Sequence, residues 1–571
     1  MKKRSVTILL ATVITASMIA GCGAKNVETT TPVRNEEAIA ADEYDNSPAE
    51  VYDSAATAQV GEDVASNYDV AVESDSSYAV KDAVGGVYEE PMAECYSIDD
   101  CYVPYVNGET YTKQEENDFT AVATNPLSTF AADVDTASYS NFRRMVTDGY
   151  DIYDIPEGSI RAEEMINYFD YDYVSPEGDD TFAVKGEITD CPWNKDSKLL
   201  TMGIKAKEVE DTADVKSNIV FLIDVSGSMS DYDKLPLLQM GFEMLIDELD
   251  ENDRVSIVTY ASDSDVVIAG VPGNKKAKLK KAMNSLEASG STNGGSGIKK
   301  AYKLAEKNFI KGGNNRIIMA TDGDLNVGLT SVEELEELVS NKKDKGVFLS
   351  VLGFGTGNYN ESNLETLADK GNGNYSYIDS MKEAKKVLSD EFGSTLFTVA
   401  KDVKFQIEFN PAYVSEYRQI GYENRQMAAS DFDDDTKDGG EMGSGHAITV
   451  MYEIKLNDGK DDEKKLRYQD NTLSNLATSS GEWMMVSVRY KEPEADESKL
   501  ETYPISEECY TKKPSCDTLF ATYVAETSML LNNSNYMDNI DLYDIIDNLE
   551  DLDIEDDEYK SEFVDLLRSL Q

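Results

Sequence analysis

The chain has 571 residues, with 53 basic against 109 acidic side chains, a formal net charge of −56 at pH 7, and one histidine. This charge excludes proteins that hold nucleic acid or anionic lipid headgroups by neutralising phosphates, because such binding depends on basic side chains. A single histidine excludes sites with several histidine ligands and confines Ser-His-Asp or Cys-His catalysis to that one residue.

The first 21 residues have the pattern of a secretory signal peptide. Three basic residues at positions 2–4 precede an apolar stretch over residues 6–19, which is too short for a stable membrane span. The stretch ends in Ile-Ala-Gly-Cys, and this ending resembles the bacterial lipobox, in which the cysteine is acylated. The resemblance implies a lipoprotein whose mature chain begins at Cys22 on the membrane and folds outside the cytoplasm.

Residues 22–117 are predicted to form an acidic, disordered linker. Between positions 23 and 118 there are 23 acidic and 4 basic side chains, and long apolar patterns are lacking. Such a segment cannot bury enough apolar surface to offset its ordering entropy, and its like charges extend it.

Two close cysteine pairs are candidates for disulfides in an oxidising compartment: Cys95 with Cys101, and Cys509 with Cys516. Cys191 would then be unpaired. Reducing surroundings would leave all five as thiols.

Residues 118–214 are predicted to form an α+β region. We expect a strand over 128–134, a helix that begins at a capping Thr136 or Ser138 and ends near 148, and a second helix over 161–169. Residues 182–189 and 199–205 alternate like antiparallel strands.

Residues 215–397 have the pattern of a doubly wound α/β domain. Continuous apolar runs, typical of strands buried on both faces, occur at 218–223, 254–260, 316–321 and 347–352. Helical patterns lie between or after them at 234–249, 277–286, 297–308, 332–343 and 361–370. The alternation predicts a mainly parallel sheet, on which ligands bind beyond the carboxyl ends of the strands.

The remaining chain divides into a β-rich part over 398–495 and a helical region over 496–571. We predict strands at 403–409, 446–456 and 483–490, and helices at 518–531, 542–552 and 559–570. We expect the β-rich part to pair with strands 182–205, so that the α/β domain is an insertion in one β-rich domain.

Three loops at the predicted carboxyl edge carry oxygen-bearing side chains. Asp224-Val-Ser226-Gly-Ser228 ends the first buried strand, Ser291-Thr292-Asn293 lies in a glycine-rich turn before a helix, and Thr321-Asp322-Gly-Asp324 ends the third strand. Oxygen ligands with few charges suit a hard divalent cation, above all Mg²⁺, with Mn²⁺ or Ca²⁺ as the alternatives.

These residues resemble the metal-ion-dependent adhesion site of von Willebrand factor type A domains, D-x-S-x-S followed by a distant Thr and Asp. The resemblance implies that Asp224, Ser226, Ser228, Thr292 and Asp322 hold the metal. In the family the two serines bind directly, the two aspartates usually through water, and the open position takes a carboxylate from a partner protein. This implies a binding module rather than an enzyme.

Further acidic side chains lie near this motif: Asp231, Asp233 and Asp324. If they face the metal, they strengthen cation retention and weaken attraction for an acidic partner, which favours a partner with a neutral oxygen or a basic rim. Solvated loop carboxylates are the simpler interpretation.

Motifs outside this domain resemble the bacterial YfbK-like lipoproteins with a type A domain. They are Pro126-Leu-Ser-Thr-Phe130, the segments 133–139 and 163–171, Cys191-Pro-Trp-Asn194 and the segment 443–453. The resemblance covers residues 118–571 and implies an N-terminal region before the type A domain and a further domain after it.

Other acidic motifs and the single histidine favour structural roles. Asp133-x-Asp135 lacks the Thr or Val of a dehalogenase-type pair, and Asp551-x-Asp553-x-Glu555 with Glu562 lacks the glycine of an EF-hand. Asp431-x-Asp433-x-Asp435 is an acidic loop that faces water or binds Ca²⁺ weakly, and His446 is expected to be a structural hydrogen bonder.

We therefore expect an extracytoplasmic, lipid-anchored protein that binds a macromolecular partner through a divalent metal. Two alternatives stay open: an envelope scaffold or assembly factor in which the metal is structural, and a hydrolase of surface polymers. The sequence has no P-loop, no G-x-S-x-G motif and no dinucleotide fingerprint.

Overall fold

The structure is a computed structural model. It describes residues 111, 113, 115–209, 216–292, 294–323, 332–343, 345–356, 361–391, 397–457, 472–493, 495, 497–537 and 540–571. The predicted signal peptide, Cys22, Cys95, Cys101 and residues 22–110 of the predicted linker lie outside these residues, as do Asn293 and Asp324. Within the described ranges, no helix is long and apolar enough to cross a membrane.

The strands follow in chain order: β1 (Thr120–Ala121), β2 (Leu127–Ala131), β3 (Phe182–Asp190), β4 (Lys198–Ala206), β5 (Ser217–Asp224), β6 (Arg254–Tyr260), β7 (Ser264–Pro272), β8 (Asn314–Thr321), β9 (Phe348–Phe354), β10 (Tyr375–Ile378), β11 (Thr398–Phe409), β12 (Val414–Ile420), β13 (Gly440–Gly443), β14 (Ala447–Leu456), β15 (Glu482–Lys491) and β16 (Ser498–Ser506).

The helices are α1 (Ala137–Thr147), α2 (Ala162–Asn167), α3 (Leu235–Glu248), α4 (Lys276–Met283), α5 (Gly294–Lys307), α6 (Val332–Lys343), α7 (Glu361–Lys370), α8 (Met381–Lys385), α9 (Asn475–Ser479), α10 (Cys516–Leu531), α11 (Leu542–Glu550) and α12 (Glu558–Ser569). A 3₁₀ turn covers Gly227–Ser230, and a π-helical turn over Lys386–Asp390 follows α8.

The central sheet has the strand order β10-β9-β8-β5-β6-β7. Its described strands pair in parallel except for β7, which runs antiparallel to β6. Strand β5 is buried throughout: Val220 and Leu222 face one apolar core with α5, whereas Phe221 and Ile223 face another with α3. This confirms the predicted doubly wound sheet, because only a sheet covered on both faces buries successive residues of a strand.

The flanking β-rich part is a sandwich of two antiparallel sheets with a shared apolar core. One described sheet has the order β1-β12-β14-β4-β3, and the other has the order β13-β11-β15-β16, with β2 also on β11. Strand β4 pairs with β14, so the chain segments before and after the central sheet meet in one sheet. The helices α1, α2 and α10–α12 pack on a separate core that contains Phe142, Phe520 and Phe563.

Two local predictions were wrong. Strand β16 pairs with β15 beyond residue 495, where the helical region was expected to begin. Thr136 lies at the N-cap of α1 but makes no capping bond with its side chain, since the first turn is satisfied from elsewhere: the backbone N–H and hydroxyl of Ser138 both donate to Glu164.

The predicted Cys509–Cys516 disulfide is not formed, and both residues are free cysteines. Cys509 packs against the core of the sandwich, whereas Cys516 begins α10 at the surface, where its thiol donates to the carbonyl of Asp553 at 3.9 Å. The two side chains therefore belong to different layers. Cys191 is free and buried.

Candidate metal centre

The candidate site lies where two neighbouring parallel strands of the central sheet end. Asp224 is the last residue of β5, and Asp322 directly follows β8. The two strands pair in register up to Ile223 and Ala320, so the two carboxylates come to the same edge of the sheet. Both are buried, with 0% and 3% of their surface exposed.

Asp224 is fixed by hydrogen bonds to both of its carboxylate oxygens. Its Oδ1 accepts from the backbone N–H of Ser226 at 2.8 Å, and its Oδ2 accepts from the hydroxyl of Thr321 at 3.4 Å. Burial raises the pKa of Asp224 to about 6, the hydrogen bonds from Ser226 lower it, and the charge of Asp322 raises it further. The carboxylate is thus oriented in advance by its hydrogen bonds.

The two serines of the motif lie side by side. Ser226 precedes the 3₁₀ turn Gly227–Ser230, and Ser228 lies within it. Their hydroxyl oxygens are 2.9 Å apart, although Ser226 is buried and Ser228 is exposed. The structure therefore brings one edge of the site to the surface.

The loop before α5 is bonded to the serine turn. The N–H of Ser289 donates to the carbonyl of Val225 at 2.7 Å, and the N–H of Gly227 donates to the carbonyl of Gly290 at 3.0 Å. Gly290 has a φ of +85°, and a Cβ there would lie 2.7 Å from the hydroxyl oxygen of Ser262. Half-buried Thr292 follows two residues later, so this loop carries it to the same edge.

Asp322 has a partner that the sequence analysis missed. The ammonium of Lys234 lies 3.1 Å from Asp322 Oδ2, and the two side chains are 9% and 3% exposed. The stem of Lys234 lies against Gly355, where a Cβ would come within 2.1 Å of its Cε. This contact has no signal in the sequence, because a lysine just before a helix is ordinarily solvated.

The second oxygen of Asp322 is the observation that most favours a cation at this site. Asp322 Oδ1 is buried and has no hydrogen-bond partner among the described residues. Buried carboxylate oxygens are normally paired or bound to metal. Within the described chain no cluster of three His, Cys, Asp or Glu side chains could hold a metal. The donors here are instead two carboxylates and neighbouring hydroxyls, which fit a hard divalent cation.

The extra carboxylates near the motif do not form a third ligand group in the described residues. Asp231 is exposed, and its backbone carbonyl accepts from the N–H of Lys234 at 3.1 Å. Asp233 is half-buried, and Asp324 lies outside the described residues. Lys234 adds a positive charge beside Asp322, which would offset part of any negative field from these acidic residues.

The weaker candidates of the sequence have structural partners. Asp133 and Asp135 form ion pairs with Arg425 at 3.4 and 3.1 Å, and Asp135 Oδ1 also accepts from the N–H of Tyr375 at 2.9 Å. Asp433 and Asp435 pair with Arg489 at the surface.

The EF-hand-like segment also has another role. Glu562 pairs with Arg143 at 3.1 Å and with Lys382 at 3.4 Å, whereas Asp551, Asp553 and Glu555 are exposed. This segment therefore joins α12 to α1 and α8.

Known families match most of the described chain. The family described as von Willebrand factor matches residues 105–201, von Willebrand factor type A domain matches 218–390, and Uncharacterized protein YfbK, C-terminal, matches 394–571. The chain is 42% identical over 465 residues to Uncharacterized protein YfbK of Escherichia coli (strain K12), and the match covers 80% of each chain.

More distant similarities are confined to parts of the chain or to its fold. Inter-alpha-trypsin inhibitor heavy chain H3 of Mus musculus is 32% identical over 168 residues, which cover 28% of this chain and 19% of that one. The solved structure of von Willebrand factor type A from Catenulispora acidiphila is 14% identical with a TM-score of 0.37, and the match covers 80% of this chain and 91% of that one.

Proposed function

Because the chain belongs to the YfbK-like family of proteins with a von Willebrand factor type A domain, we propose that it captures a macromolecular partner, a protein above all, through a divalent metal. In this proposal Asp224, Ser226, Ser228, Thr292 and Asp322 hold the ion. Mg²⁺ is the cation that best suits oxygen ligands of low total charge, with Mn²⁺ and Ca²⁺ as alternatives.

The observation that carries the proposal is the buried Oδ1 of Asp322, which has no partner in the described part of the chain and lies beside the fixed carboxylate of Asp224. Two buried carboxylates at one sheet edge repel each other, and among the described residues Asp322 alone has a cationic neighbour, Lys234. A divalent cation would balance both charges. The exposed Ser228 supports an open side through which a partner approaches.

A bound cation would supply an electrophilic centre that accepts an oxygen ligand from the partner. The chain's own residues prepare this contact: the hydrogen bonds to Asp224 fix its orientation, and the 3₁₀ turn presents the two serine hydroxyls together. Lys234 adds one positive charge beside the site, which favours a partner that offers a carboxylate over one that offers a neutral oxygen. The proposed role is binding and not catalysis.

We also propose that the chain is anchored by a lipid on Cys22 and acts outside the cytoplasm. The support is the order of basic residues, apolar stretch and Ile-Ala-Gly-Cys at the N-terminus. A Cys22→Ala variant should move from the membrane fraction to the soluble or unprocessed fraction. An unchanged membrane fraction in this variant would contradict lipid anchoring.

The binding proposal is tested by affinity capture from a membrane extract with Mg²⁺ and with EDTA. We expect a partner that the wild-type chain retains only with Mg²⁺ and that an Asp224→Ala, Ser226→Ala variant does not retain. The matched control is Asp247→Ala, Ser285→Ala, which removes the same groups from exposed positions near the C-terminal end of α3 and just after α4.

The same variants separate binding from a scaffold role. A site variant that stays folded and loses only Mg²⁺-dependent capture supports the proposal. A wild-type chain that retains the same proteins with EDTA as with Mg²⁺ refutes it. If the site variant loses thermal stability or assembly and no Mg²⁺-dependent partner exists, the metal is structural.

A further inference from the structure

A polar cavity of about 480 Å³ lies between the central sheet and the flanking sandwich. Arg316 on β8 and Ser350 on β9 line it from the sheet, and His446 lines it from the segment before β14. The π-helical turn Lys386–Asp390 contributes further residues. The cavity is therefore built from chain segments on both sides of the domain boundary.

Arg316 is a buried cation without a counterion in the described structure. It is 3% exposed, its guanidinium donates to the hydroxyl of Ser350 at 2.5 Å, and it lies 5.8 Å from the ring centroid of Phe348. Its Nε is buried without a hydrogen-bond partner among the described residues. Burial lowers the pKa of Arg316 to about 10, so the side chain is still charged at neutral pH.

The acidic residues of the cavity have other partners. Asp133 and Asp135 pair with Arg425, Glu391 pairs with Lys386, and Asp390 pairs with Lys385. The charge of Asp170, which also lines the cavity, acts on Lys386 and His446. None of these acids forms an ion pair with Arg316 in the described residues.

Glu441 is the acidic residue whose charge acts on Arg316, but the two form no ion pair within the described chain. Its carboxylate accepts a hydrogen bond from the side-chain amide of Asn372. Burial, with the charge of Asp438, raises the pKa of Glu441 to about 8, whereas the charges of Lys343 and Arg316 lower it. Glu441 is thus held by Asn372 and makes no direct contact with the guanidinium in the described residues.

We propose that this cavity binds a small oxyanion whose carboxylate or phosphate group pairs with the guanidinium of Arg316. A buried cation without a counterion destabilises a fold, and an anion from solution would relieve that cost. The planar guanidinium presents parallel N–H donors that match both groups, and Ser350 fixes its orientation. The site is separate from the candidate metal centre and does not depend on it.

The test is the melting temperature of the full chain in sodium phosphate or sodium acetate, compared with sodium chloride at equal ionic strength. EDTA is present throughout, so that no metal can hold the anion. We expect phosphate or acetate to raise the melting temperature by a few degrees more than chloride does. We expect Arg316→Met to abolish this difference and to melt at a higher temperature than wild type in chloride.

The matched control is Arg568→Met, which removes the same charge from an exposed position and should keep the full anion effect. Arg316→Lys keeps the charge without the planar donors and should retain a smaller effect, which also tests the site if the methionine variant fails to fold. A wild-type chain without a phosphate- or acetate-specific shift overturns the proposal. So does an Arg316→Met or Arg316→Lys variant with the full wild-type shift.

Discussion

The contact between Lys234 and Asp322 allows a direct test of the charge balance at the candidate site. The ammonium and the carboxylate are 3.1 Å apart, and both side chains are almost fully buried. A Lys234→Met variant keeps the stem that lies on Gly355 and removes only the charge. Asp322, whose Oδ1 already lacks a partner in the described structure, would then lose its cation as well.

Removal of one partner of a buried ion pair costs about 3–5 kcal/mol, because the remaining charge is buried without compensation. We therefore expect the free energy of unfolding of Lys234→Met in EDTA to fall by an amount of this order. A divalent cation restores positive charge at the site, so Mg²⁺ should stabilise the variant more than it stabilises wild type. At a concentration 100 times the dissociation constant, binding adds about 2.7 kcal/mol.

The measurement is urea unfolding followed by circular dichroism, with EDTA and with Mg²⁺, for wild type and Lys234→Met. The control is Lys280→Met on α4, where the ammonium pairs with Asp247 at 2.6 Å and the lysine side chain is 27% exposed. Such pairs contribute about 0–1 kcal/mol, so the control should unfold almost like wild type in both buffers. Equal stability of Lys234→Met and wild type in EDTA would refute the argument, and so would a larger effect of Mg²⁺ on wild type.

Three further predictions concern buried charges elsewhere in the fold. Arg143→Met breaks buried ion pairs with Asp379 and Glu383 and should lower the free energy of unfolding in urea by about 3–5 kcal/mol. The exposed control Arg568→Met should leave the urea midpoint unchanged, and equal midpoints for the two variants would contradict the prediction. Burial lowers the pKa of His446 to about 4, and Asp170 and Lys386 act on it in opposite directions. As the pH decreases, His446 is protonated in the unfolded chain near pH 6.5 but in the folded chain only near pH 4. The free energy of unfolding should therefore fall between these two pH values, and His446→Gln should remove this pH dependence. Burial raises the pKa of Glu526 to about 8, so Glu526→Gln should gain stability over wild type as the pH rises from about 4.5 to about 8; a constant difference across this range would show that Glu526 ionises normally in the fold.

The central sheet could be predicted because its signals are local. The runs that form β5, β6, β8 and β9 are apolar on both faces, and Asp224 and Asp322 follow two of them directly. The pattern alone therefore placed both carboxylates at one edge. The structure adds the hydrogen bonds from Ser289 and to Gly290 that bring the Thr292 loop to the same place.

Several edge strands could not be predicted from the same signals. Strand β7 pairs only with β6 among the described strands, and its Val266 is 44% exposed. Strand β16 lies at the end of its sheet, and most of its residues are exposed or half-buried. An edge strand has one neighbour and buries less apolar surface, so its sequence resembles that of a loop. The sandwich is consequently larger than the sequence indicates.

Buried ion pairs were also beyond prediction, because the partners are distant in the sequence. Arg143 and Glu383 are 240 residues apart, and Lys234 and Asp322 are 88 apart. Composition places such residues at the surface, and only the assembled fold shows that they are paired inside it. The acidic neighbours of the motif could be read from the sequence, whereas the lysine that offsets them could not.

The positions of these ion pairs explain how the flanking parts leave the candidate site open. Arg425 joins Asp133 and Asp135 to residues of α7, and Arg143 joins α1 to α8 and α12. Both connections hold the side of the central sheet that carries β9 and β10, whereas the site is built on β5 and β8 with the serine turn at the surface. The flanking sandwich and helices can therefore fix the central domain while Ser228 stays exposed.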